Sequence, residues 1–67
     1  MTVTFHVRVK IVDGIPYYIK GEMGVGMGAW HRAAQVRDML GLAKMPQHVS
    51  REKWNALGSE YYILEVS

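Results

Sequence analysis

The chain has 67 residues, eight Lys or Arg against six Asp or Glu, and no cysteine. That length gives one domain, residues 1–67. The missing cysteines exclude disulfides and thiolate metal sites, and they point to a reducing compartment such as the cytoplasm. A net charge of +2 is small for a dedicated nucleic-acid binder, and no apolar run approaches the ~20 residues of a membrane span.

Hydrophobic residues make up 49% of the chain. A domain this small cannot hide all of that surface, so a surplus is expected to face a partner. A second copy of the chain would be the simplest cover, giving a homodimer. The opening Met1-Thr2-Val3-Thr4-Phe5-His6-Val7-Arg8 alternates, and lacks the charged and apolar blocks of a signal peptide. The chain therefore reads as a small gene product complete in itself, outside the membrane.

In chain order, the first element is a strand. Val3, Phe5, Val7, Val9 and Ile11 alternate with Thr4, His6, Arg8 and Lys10, the period of a sheet with one apolar face. Asp13-Gly14 marks a turn, and Ile15 to Lys20 reads as the second strand of a β-hairpin. A two-residue loop would set Val9 opposite Tyr18 and Val7 opposite Lys20, mixing the faces. A three-residue loop from Val12 to Gly14 pairs Ile11 with Ile15, Val9 with Tyr17 and Val7 with Ile19, so it is the expected register. Pro16 predicts an unpaired edge at the start of the second strand.

Residues 21–28 contain four glycines and read as a flexible connection. A helix is expected over residues 29–40, with Ala29, Ala33, Val36 and Leu40 on its inner face and Gly41 as its C-cap. Residues 42–49 read as a loop. A short helix follows from Arg51 to Leu57, with Ser50 as N-cap and Trp54 and Leu57 inward. Residues 61–66 form the last strand, Tyr62, Leu64 and Val66 on one face. The order strand, strand, helix, helix, strand predicts an α+β fold. Its sheet is three-stranded and mainly antiparallel, with both helices packed on one face. The last strand can pair with either hairpin strand.

The candidate sites fall into three groups. Gly24-x-Gly26-x-x-Ala29 has the spacing of a dinucleotide-binding loop. That motif needs a parallel strand and an acid after the helix, and the residues twenty positions on, Ser50-Arg51-Glu52, read as helix. A tight corner is the expected role. His6, Arg8, Lys10, Tyr18 and Lys20 share the polar hairpin face in the expected register. With Arg51 and Lys53 they are the candidates for nucleic-acid contact. Met23, Val25, Met27, Trp30, Met45 and Tyr61 are apolar residues in or beside loops, and they are the candidates for contact with a protein partner.

The three histidines have no metal-ligand spacing, and the serines and acids form no catalytic pattern. No catalytic residue, cofactor or metal is assigned. The segment from Trp30 to Leu57 resembles the helix-turn-helix part of small phage regulators such as excisionase-like winged helices. Its loop from Gly41 to Ser50 is longer than a tight turn. The expected function is a small non-enzymatic protein-binding protein, an inhibitor or adaptor of phage or mobile-element type that binds a host protein or protein complex. The alternative is a small nucleic-acid-binding regulator using the hairpin face or the two-helix segment.

Overall fold

A computed structural model describes residues 4–66; Val3, the first residue of the alternation, lies outside them. The elements are β1 (Phe5–Val12), β2 (Ile15–Ile19), α1 (Gly26–Leu40), β3 (Gln47–Val49), α2 (Arg51–Ala56) and β4 (Tyr62–Val66). The fold is α+β, with two helices and a four-stranded mixed sheet of order β3-β2-β1-β4. β1 is antiparallel to both neighbours, and β3 lies parallel to β2.

The expected three-stranded sheet is thus corrected to four strands. The added strand is Gln47-His48-Val49, inside the segment read as a loop. Three residues with one apolar side chain carry too little periodicity to announce a strand. β3 also separates the two helices, so the resemblance to a helix-turn-helix does not extend to the fold.

The hairpin register is corrected as well. Val12 pairs with Ile15, Ile11 with Pro16 and Lys10 with Tyr17, which leaves a two-residue loop. Asp13 and Gly14 have φ of 52° and 77°, the paired left-handed conformations of a type I′ turn. The three-residue register assumed that Tyr17 and Ile19 belong with Val7 and Val9. In the fold Tyr18 joins Val7 and Val9, while Tyr17 and Ile19 pack on the other side of the sheet. Both faces of β2 are covered, so burial does not alternate along it. Turn chemistry then selects the register.

The helices lie on opposite faces, where one shared face was expected. α1 brings Ala33 and Val36 onto Val7, Val9, Tyr18 and Val66, with Met23 completing that core. α2 brings Trp54 onto Ile19 and Val49, whose side chains alternate to the other face. Topology explains the arrangement. From β2 the chain crosses outward to β3, and from β3 it returns across the sheet to β4. Two crossovers of the same hand that travel in opposite directions place their helices on opposite faces.

Local capping agrees with the sequence reading. Gly41 sits at φ 68°, and the Gly41 and Leu42 amides donate to Asp38 and Arg37 carbonyls at 3.2 and 3.3 Å. These are the two bonds of a Schellman cap. The Ser50 hydroxyl accepts from the Lys53 amide at 3.2 Å and starts α2.

Candidate functional site

The segment between β2 and α1 was expected to be flexible, but it is held at several points. The Glu22 amide donates to the Ile19 carbonyl at 3.1 Å, and the Gly24 amide donates to Gly21 at 3.1 Å. The Glu22 carboxylate accepts from Arg8 Nη2 at 2.7 Å. Arg32 reaches back from α1 to donate to the Met23 carbonyl at 3.2 Å, its guanidinium 5.2 Å from the Phe5 ring. Gly21, Gly24 and Gly26 have φ of 96°, 93° and 67°, a conformation that side chains oppose. A Cβ at Gly24 would also stand 2.9 Å from Arg32 Nη1. The glycines define a shape, and α1 begins three residues before the expected Ala29.

This loop roofs a hollow of about 310 Å³ at the carboxyl ends of β2 and β3. Tyr18 and Lys20 come from the β2 end, His48 from β3, and Gly24, Val25, Gly26 and Ala29 from the loop and α1. The Tyr18 and His48 rings meet edge to face, with centroids 6.3 Å apart. Burial raises the Tyr18 pKa above the ordinary phenol value. One part of the objection to the Gly24-x-Gly26 spacing falls, because a parallel strand, β3, does follow the helix; Arg51 and Glu52 lie in α2 as expected. The position after it holds Ser50 and Arg51, with no acid directly at the strand end.

The apolar candidates separate. Met23 is in the core at 1% exposure, so it is not a contact surface. Met45 is half-buried against the same core. Val25, Met27 and Trp30 stand 86%, 72% and 59% exposed around the start of α1. Met27 and Trp30 are three apart on the helix, hence neighbours on its surface. Tyr61 is exposed too, tilted against Trp54 at 6.2 Å. Beside it on the sheet edge, Tyr62 and Ile63 are exposed residues that sequence reasoning missed as surface. They sit in an alternating strand, and only the sheet order shows that nothing covers them.

The basic candidates do not share a face. His6, Arg8 and Lys10 lie on the α2 side of the sheet, and Tyr18 and Lys20 on the α1 side, because the register differs by one residue. Lys10 is 4% exposed. Its Nζ donates to the Trp54 carbonyl at 2.7 Å and to the Gly58 carbonyl, and lies 4.5 Å from the Trp54 ring centroid. Arg8 is committed to Glu22, whose hydrogen bond and charge raise its pKa. His6 Nε2 is 3.4 Å from a Glu65 carboxylate oxygen. Arg51 and Lys53 remain exposed on α2, Lys53 beside the Tyr17 ring.

Among the described residues no three His, Asp or Glu side chains gather to hold a metal, and no helix is long and apolar enough to cross a membrane. Comparison with protein-family models, with curated proteins and with solved structures found no match for this chain.

Proposed function

We propose that this chain is a small non-enzymatic binding protein, an inhibitor or adaptor that engages another protein through the start of α1. The observation that carries the reading is the exposed group of Val25, Met27 and Trp30, at 86%, 72% and 59%. Leaving a large ring and a long thioether in water has no folding benefit. Tryptophan and methionine are enriched at the centres of protein interfaces. The backbone beneath them is held by the Arg8–Glu22 pair and by Arg32 on the Met23 carbonyl, so the residues are presented in one geometry. A preorganised surface loses less entropy on binding.

Nucleic acid is the weaker reading. Its hairpin candidates are divided between two faces, with Lys10 buried and Arg8 already paired.

The test is capture from a lysate of the source cells by immobilised chain. A protein should be retained, displaced by untagged chain, and lost with the double variant Met27→Glu, Trp30→Glu while that variant keeps the parent circular dichroism. Retention of the same protein by the folded double variant would overturn the assignment of the surface. The absence of any displaceable protein would overturn the function.

A further inference from the structure

We infer that the hollow between Tyr18, Lys20 and the start of α1 binds the phosphate group of a small phosphorylated molecule. The position in the fold is the first argument. β2 and β3 are adjacent parallel strands, and the connections leaving their carboxyl ends go to opposite faces of the sheet. Open sheets bind ligands in the crevice at such a point, and the hollow lies there.

The donors are the second argument. Val25, at the N-cap of α1, supplies no side-chain acceptor, and the first turn holds no acid. Its amides have no partner within the helix, and the helix dipole favours an anion there. A helix start alone is not a site, but Tyr18 supplies an independent sign. Its side chain is buried, with 7% of the residue exposed, and it lines the hollow. Its hydroxyl has no hydrogen bond to another described residue, and no sealed polar atom lacks a partner among those residues, so the hydroxyl is accessible to solvent beside the hollow that Tyr18 lines. Raised above its ordinary pKa, the phenol keeps its proton and serves as a donor. Lys20 adds a positive charge without a salt bridge among the described residues. The one acid of the loop, Glu22, is held by Arg8 on the other side of the sheet.

Size and lining set the class of ligand. About 310 Å³ is the lower end of the range for small-molecule sites and exceeds what a bare oxyanion fills. Val25 and Ala29 give the remaining space an apolar wall. A phosphate monoester of an organic molecule fits both halves. This inference is independent of the protein-binding reading, because the isolated chain is enough to test it.

The test is an NMR titration of the 15N-labelled chain with inorganic phosphate, adenosine monophosphate and, as control, adenosine and acetate. Both phosphates should shift the amides of residues 24–28, with the monophosphate binding more tightly. Lys20→Gln and Tyr18→Phe should each weaken its binding by at least about tenfold, as loss of one charge-assisted bond does. Lys20 is exposed, so its variant keeps the fold and the test stands even if Tyr18→Phe is destabilised. Several results would overturn the inference: silence of these amides at millimolar phosphate, equal shifts with acetate, or unchanged affinity in Lys20→Gln. A phosphorylated peptide binding far more tightly than the monophosphate would also overturn it, by moving the ligand to a macromolecule.

Discussion

The two faces of the sheet are built on different principles. Under α1 the core is mainly aliphatic: Val7, Val9, Met23, Ala33, Val36 and Val66 fill it at 5% exposure or less, with the Tyr18 ring packed among them. Under α2 the hydrophobic centre is Ile19, Val49 and Trp54, and the space beside the indole is taken by cations. Lys10 stands 4.5 Å from the ring and Arg8 5.7 Å. Lys10 then donates to carbonyls at the end of α2, where partial negative charge favours a cation. One face is held by many interchangeable contacts. The other depends on one aromatic ring and one ammonium group. A polar strand position is thus not always a solvated one, because a long side chain can bury its stem and satisfy its head on backbone oxygen.

Trp54→Ala should break the α2 face outright. Truncating a buried tryptophan costs about 3–5 kcal/mol, as much as the roughly 3–5 kcal/mol that a domain of this size has in reserve. Circular dichroism at 25 °C should show a largely unfolded chain, and cooperative unfolding of a stable variant would mean the ring contributes little.

Two methionines four residues apart sharpen the contrast on the α1 side. Met23→Ala should cost about 2–5 kcal/mol, because its side chain is core. Met27→Ala should stay within about 0.5 kcal/mol. Urea denaturation measures both, and equal losses would show that the loop does not plug the core.

Lys10→Met keeps the stem and removes the ammonium. It should cost about 1.5–3 kcal/mol, the range for bonds involving a charged group; a neutral or stabilising effect would mean the carbonyls do not need it. The smallest effect concerns Tyr18. Its raised pKa means that the folded chain retains a proton which the unfolded chain releases near pH 10. Its contribution is intact below about pH 10 and is lost as pH climbs through the folded value. Thermal melts of Tyr18→Phe should lose less stability over that alkaline range than the parent. Identical slopes would place the phenol in open water.

The contrast also explains what was legible in the sequence. The inner face of α1, the Ser50 and Gly41 caps and the strand of Val7 and Val9 all follow from local pattern or local hydrogen bonding, and all appear in the fold. β3 did not, because Gln47-His48-Val49 gains strand character only by pairing with β2. Without β3 the return crossover vanishes, and with it the reason for a helix on each face. The hairpin register failed for a related reason: Tyr17, Tyr18 and Ile19 are all covered, so no alternation remained to read. Of the candidate site, the glycine spacing and the exposed Val25, Met27 and Trp30 were visible. The convergence of Tyr18, Lys20 and His48 under the loop required the parallel pairing.

The position of β4 has a consequence for synthesis. β1 pairs with it from Phe5↔Val66 to Val9↔Tyr62, joining residues near opposite ends of the sequence. Until residue 66 has been made, β1 has an open edge from Phe5 to Val9, although the hairpin with β2 can already form. A nascent chain therefore carries a sticky strand until residues 62–66 have been made. The finished molecule closes that strand only by covering it with β4, whose own outer edge, with Tyr62 and Ile63 exposed, becomes the new margin of the sheet.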